Sequence, residues 1–100
     1  MYIAMNRFKI VPGKENEFEK VWRERDTHLS EVPGFKEFHL VKGEKTDEFS
    51  LYASHSIWNS KADFINWTKS EEFKLAHKNA GHHKDLYLGA PNFEGFEVVL

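Results

Sequence analysis

Apolar and polar positions alternate along residues 2–11 (YIAMNRFKIV), placing Tyr2, Ala4, Asn6, Phe8 and Ile10 on one face and Ile3, Met5, Arg7 and Lys9 on the other. A period of two is what a strand requires. Pro12-Gly13 closes it with turn chemistry. The period then changes. Across residues 14–29, Phe18, Val21, Trp22, Arg25 and Leu29 recur at helical intervals with charges between them, which predicts an amphipathic helix. Pro33-Gly34 ends that unit. Two short strands are expected near 35–42 and 49–57, joined as an antiparallel hairpin by the charged segment from Gly43 to Glu48.

A second helix should enter at Ser60, where Asp63 three residues on fits a capping box in its Ser-x-x-Asp form. It carries Phe64, Ile65 and Trp67 and then meets Lys69-Ser70. Ser70 can cap a fresh start, with Glu71 and Glu72 in the new first turn. On an unbroken helix, the sweep from Trp67 to His77 is about 1000°, leaving the two side chains about 80° apart around the axis. A kink at Ser70 re-aims both into one cleft. Residues 79–92 read as loop and 93–100 (FEGFEVVL) as a closing strand with Phe96, Val98 and Leu100 on one face.

Strand, helix, strand, strand, helix, strand is the split βαβ, or ferredoxin-like, order of an α+β domain. Residues 1–100 are expected to form one such domain. Its two helices cover one face of the sheet. The other face, with Ile3, Met5 and strand aromatics, is too apolar to stand in water at this size. A homodimer packed sheet to sheet is therefore expected.

Charge and composition narrow the function classes. Fourteen Lys plus Arg against sixteen Asp plus Glu leave a formal charge of −2, which argues against a nucleic-acid binder held by a basic field. No apolar run approaches the ~18 residues of a membrane span, and residues 1–10 lack the layout of a signal peptide. With no Cys, disulfide scaffolds, thiolate zinc sites and cysteine nucleophiles drop out, and the expected compartment is the reducing cytoplasm. Nine Phe, three Trp and three Tyr supply either core volume for a small domain or the wall of a pocket for a flat ligand.

Polar residues in apolar company are the candidates for chemistry. Asn6 shares the helix-covered face of the first strand. It is either an amide satisfied by backbone near the sheet edge or a donor aimed into a pocket, since leaving it unpaired costs about 1–3 kcal/mol. His77 shares the apolar side of its helix with Phe73, as a packed imidazole or as a ligand. His82 and His83 fall outside the i+3/i+4 spacing that puts two ligands on one helical face. His39 and His55 either face one another across the hairpin or lie on a solvated strand face. Trp22 and Trp67, at helical spacing beside Phe18 and Phe64, read as core residues when taken alone. No GxSxG, GxGxxG or Walker loop occurs, so nucleophilic, phosphate and dinucleotide chemistry find no support.

The run Trp58-x-Ser60-x3-Phe64-x2-Trp67-x2-Ser70-x2-Phe73-x2-Ala76-His77 resembles that of the antibiotic-biosynthesis-monooxygenase superfamily. The full trio Asn6, Trp67 and His77 is similar to that of its IsdG-type heme-degrading monooxygenases. The resemblance runs along nearly the whole chain, including the Trp22–Arg25 region and the closing FEVVL. It implies a dimeric α+β barrel with heme in each subunit's cleft between sheet and helices, consumed with dioxygen and an external electron donor to release iron. Carried over position by position, His77 is the proximal iron ligand, Asn6 donates near the distal ligand, and Trp67 presses on the porphyrin and ruffles it. Phe64, Phe73 and Trp22 complete the heme-binding wall, with Arg25 or Arg7 as the cation for the anionic edge of heme. His82-His83 is no hallmark of the family. Two other readings stand beside this one. One is a cofactor-free monooxygenase acting on a quinol or polyketide-like phenol, in which Asn6 and Trp67 position the substrate and His77 orients it. The other is a dimeric heme-binding or stress-response module that carries heme without turning it over.

Overall fold

A computed structural model describes residues 1–25, 28–77 and 85–100. The elements are strand β1 (Tyr2–Ile10), helix α1 (Glu15–Glu24), a 3-10 turn at Leu29–Glu31, strands β2 (Phe35–Lys45) and β3 (Ser50–Trp58), helices α2 (Lys61–Thr68) and α3 (Glu71–His77), and strand β4 (Asn92–Glu97). The strands form one antiparallel sheet in the order β2-β3-β1-β4. This is the α+β ferredoxin-like arrangement that the element order predicts. No helix among the described residues is long and apolar enough to cross a membrane.

The alternation in β1 sets the layers. Tyr2, Ala4, Phe8 and Ile10 are buried beneath the helices, while Arg7 and Lys9 are exposed on the outer face. Burial then divides into two cores, one toward each end of β1. The first gathers Tyr2, Ala4, Leu29, Val32, Trp58 and Phe64. The second gathers Phe8, Ile10, Phe18, Tyr52 and Leu86. Asn6 belongs to neither and lies between them. Helix α1 is tied to the second core by Tyr52 Oη, which donates to Glu19 Oε2 at 2.5 Å, and by Ser50 Oγ, which donates to Glu15 at 3.1 Å.

Several elements differ from the sequence expectation. The first helix was expected over 14–29, but α1 ends at Glu24 and Arg25 takes an extended backbone. Leu29 therefore leaves the stripe of Phe18 and enters the opposite core on its own 3-10 turn. Strand β2 runs on to Lys45, with a register shift between Lys42 and Lys45, so the hairpin connection shortens to residues 46–49. Thr46 closes it, its Oγ1 accepting from the N–H groups of Glu48 and Phe49, both at 3.1 Å. Strand β4 stops at Glu97; Val98 makes one backbone bond to Met1 O at 2.9 Å, and Val98, Val99 and Leu100 are exposed. The Ser60 cap is present, its Oγ accepting from Asp63 N–H at 3.2 Å, but the Asp63 side chain packs against the tight turn at Gly34 instead of completing a box. His39 and His55 do sit opposite one another, with rings 6.4 Å apart. The expected loop at 79–92 is described only from residue 85, and His82 and His83 lie outside the described residues.

Candidate functional site

The gap between the two cores is a cavity of about 940 Å³, walled by the middle of the sheet on one side and by α1, α2, α3 and residues 87–91 on the others. Small and polar side chains leave this space. Asn6 pairs across the sheet with Ser54 on β3 and Phe93 on β4, where the flanking positions of β1 carry Ala4 and Phe8. Asn6 is half-buried, lines the cavity, and makes no side-chain hydrogen bond among the described residues. One step along, Ser56 is buried and structural: its Oγ accepts from Trp58 Nε1 at 2.9 Å and donates to Ala4 O at 3.4 Å.

The break between α2 and α3 brings Trp67 and His77 together. Ser70 Oγ accepts from Phe73 N–H at 3.2 Å, capping α3, and donates to Trp67 O at 2.6 Å, closing α2. Across this joint the rings of Trp67 and His77 lie 6.0 Å apart, and both line the cavity. Trp67 is wedged among Trp58 at 5.3 Å, Phe64 at 5.9 Å and Phe73 at 4.8 Å. Phe73 in turn stacks on the imidazole at 4.1 Å.

His77 Nδ1 lies 2.8 Å from Phe73 O. A carbonyl oxygen only accepts, so Nδ1 carries the proton and Nε2 keeps its lone pair. Burial pushes the imidazole below its ordinary pKa, the bond to Phe73 opposes that shift, and the Arg25 charge adds to it. The result is a neutral ring with a fixed tautomer and one open donor nitrogen, which is how a metal-ligating histidine is prepared. Among the described residues no three His, Asp or Glu side chains converge as a metal cage. His77 is thus the one imidazole among the described residues that lines the aromatic cavity.

The expected site residues Asn6, Trp67, His77, Phe64, Phe73, Trp22 and Arg25 all line this one cavity. Arg25 lies 4.4 Å over the Trp22 ring. Arg7, the other cation considered for the mouth, stands on the outer sheet face and pairs with Glu94 at 3.0 Å; β-strand alternation places it away from the cavity. Sequence reasoning missed Tyr87 and Phe93. Tyr87 lay within an expected loop, although the apolar run Leu86-Tyr87-Leu88 was a signal that the segment packs. Phe93 stacks on Phe64 at 5.4 Å and forms part of the cavity wall.

Fold and cavity together define a small ferredoxin-like α+β protein with a histidine-bearing aromatic site between sheet and helices. The chain belongs to the antibiotic biosynthesis monooxygenase family, whose model matches residues 1–79, and it is an enzyme of the oxygenase class. Heme-degrading monooxygenases of Bacillus thuringiensis (strain Al Hakam) and Bacillus anthracis (strain A0248) are each 32% identical to it over 92 residues, covering 88% of this chain and 81% of theirs. Among solved structures, the heme-degrader MhuD from Mycobacterium tuberculosis, with two hemes bound in its active site, aligns at 27% identity with a TM-score of 0.76, covering 100% of this chain and 97% of its own. SnoaB, a cofactor-independent oxygenase from Streptomyces nogalater, aligns at 20% identity and a TM-score of 0.70 over 99% of this chain and 93% of its own. That likeness concerns the fold alone.

Proposed function

We propose that this protein is a heme-degrading monooxygenase that uses dioxygen and an external reductant to open heme and release its iron. Heme is then both cofactor and substrate. The observation that carries the reading is His77, with Nδ1 held by Phe73 O and Nε2 left open in an aromatic cavity. The relatives at 32% identity that are named for heme degradation support it.

The residues fit the group. The cavity, at about 940 Å³, falls at the large end of the roughly 300–1,000 Å³ typical of small-molecule sites. Trp22 and Trp67 each carry a buried indole N–H without a partner among the described residues. A finished protein core rarely leaves such atoms, so the wall is prepared for contents. Bound heme would supply redox-active iron for reducing dioxygen and the ring carbons that become oxidised.

Each residue then has a defined task. His77 offers Nε2 to the iron and keeps its proton on Nδ1. Asn6, on the sheet wall, would offer an amide N–H to an oxygen ligand that gains negative charge. Trp67, wedged among Trp58, Phe64 and Phe73, would press on the face of a bound porphyrin. Phe64, Phe73 and Trp22 exclude water, and Arg25 meets the anionic edge. We place all 100 residues in one cytoplasmic domain that pairs with a second copy. The in-register outer row Ile57, Ile3 and Phe96 favours that pairing, since Phe96 is 47% exposed in the single chain.

Titrating the protein with hemin tests the reading. A saturable Soret shift with an imidazole-ligated spectrum is expected, and His77→Ala should lose that signature with an unchanged circular dichroism spectrum. A signature that survives His77→Ala and disappears in His82→Ala or His83→Ala would move the ligand to those residues.

A further inference from the structure

The inner face of β3 carries Ser50, Ser54 and Ser56. Two of these hydroxyls are consumed by the fold. Ser50 Oγ donates to Glu15 Oε2 at 3.1 Å, and Ser56 Oγ links Trp58 Nε1 to Ala4 O. Ser54, between them, is half-buried, lines the cavity and makes no side-chain hydrogen bond among the described residues. Valine suits a half-buried strand position well, so packing does not call for a hydroxyl there.

The cross-strand neighbour of Ser54 is Asn6. Side chains directly opposite one another on antiparallel strands have Cβ atoms about 4.5–5.5 Å apart. Asn6 is likewise half-buried, lines the cavity and has no side-chain partner among the described residues. Their row runs Leu40, Ser54, Asn6, Phe93 across the sheet. Its ends are apolar, since Leu40 packs on the second core and Phe93 stacks on Phe64. The inner pairs on either side are Ala4 with Ser56 and Phe8 with Tyr52, whose hydroxyls are already engaged. Among the described residues, Asn6 and Ser54 are therefore the unpaired polar side chains of the sheet wall. A lone unpaired group can be an accident of packing. Two side by side, facing one cavity, leave a free-energy cost that a ligand accepting hydrogen bonds from both would remove. Amide N–H and hydroxyl O–H so close together fit a small acceptor.

We infer that Ser54 and Asn6 form a two-point hydrogen-bonding subsite on the sheet wall, in which the Ser54 hydroxyl is a second donor to a small oxygen ligand or anion. The inference rests on the heme reading and deepens it. His77 stands on a helical wall of the cavity, so a porphyrin held from there would turn its other face toward the sheet. Ser54 then helps to select what occupies that face, favouring ligands that accept hydrogen bonds over ligands that do not.

The test loads wild type, Ser54→Ala, Ser54→Val and Ser54→Thr with hemin and titrates each with fluoride, an anion that binds ferric iron and accepts hydrogen bonds. The reduced proteins are then exposed to carbon monoxide, whose stretching frequency falls when a donor approaches its oxygen. Ser54→Ala and Ser54→Val should bind fluoride about tenfold more weakly than wild type, as expected for one charge-assisted hydrogen bond. Their carbonyl stretch should rise, while hemin affinity stays close to that of wild type. Ser54→Thr, nearly isosteric with Ser54→Val, restores the hydroxyl and should keep both readouts near wild type. Unchanged fluoride affinity in Ser54→Ala and Ser54→Val would overturn the subsite. So would equal losses in Ser54→Thr and Ser54→Val, which would make volume the cause. A wild-type protein that binds no hemin removes the heme reading and the subsite with it; one that binds hemin while fluoride ignores Ser54 overturns the subsite alone.

Discussion

At the scale of single residues, the state of His77 is decided by two neighbours that act on different atoms. Phe73 O holds the proton on Nδ1, and burial with the Arg25 charge discourages a second proton on Nε2. The unfolded chain protonates this ring near the ordinary 6.5, while the folded chain does so only at lower pH. The depressed value therefore costs stability as pH falls through 6.5 toward the folded pKa, and the loss levels off below it. Unfolding midpoints measured from pH 8 to 5 should show wild type losing stability below pH 6.5 and His77→Gln losing less. Hemin affinity should stay level between pH 8 and 6.5, because protons do not yet compete for Nε2. A wild-type affinity that already falls across that upper window would mean that the imidazole is not held neutral.

At the scale of elements, the period-two pattern of residues 2–11 contained the layer structure, because only alternation puts Tyr2, Ala4, Phe8 and Ile10 on one side. The same pattern singled out Asn6. The joint at Ser70 was also legible, since a capping residue followed by two glutamates marks a new helical start. The end of α1 was not. Helical spacing continued to Leu29 in the sequence, but Leu29 and Phe18 belong to opposite cores, and periodicity within one segment carries no record of which core a residue joins. Tyr87 was hidden for a similar reason: its place comes from pairing with β1, a contact far away in sequence. Ser70→Ala should cost about 1 kcal/mol of stability, the usual loss of an N-cap. It should also weaken hemin binding more than Ser30→Ala, an exposed substitution on the 3-10 turn. Equal hemin affinity in the two variants would mean that the Ser70 cap does not aim Trp67 and His77.

At the scale of the whole molecule, the sheet has one covered face and one open one. Across the open face run Ile57, Ile3 and Phe96 in register, beside a row of His39, His55, Met5 and Glu94. Pairing of two such faces would remove these apolar side chains from water. Sedimentation at micromolar concentration should give a dimer for wild type and a monomer for Ile3→Glu, which buries a charge at the centre of the proposed contact. A wild-type monomer would contradict the pairing. The cavity lies on the other side of the sheet, so each copy in such a pair would keep its own site.

The account turns on whether this cavity consumes the heme that it is proposed to bind. The most direct measurement follows hemin-loaded protein in air after addition of ascorbate, with catalase present to remove free peroxide and a ferrous chelator to report iron. Loss of the Soret band with release of about one iron per heme consumed is the expected result. Trp67→Ala should still bind hemin but react at least tenfold more slowly, about 1.4 kcal/mol of barrier. A Soret band that persists unchanged in the wild-type protein, with no iron reaching the chelator, would contradict the account and leave a heme carrier in its place.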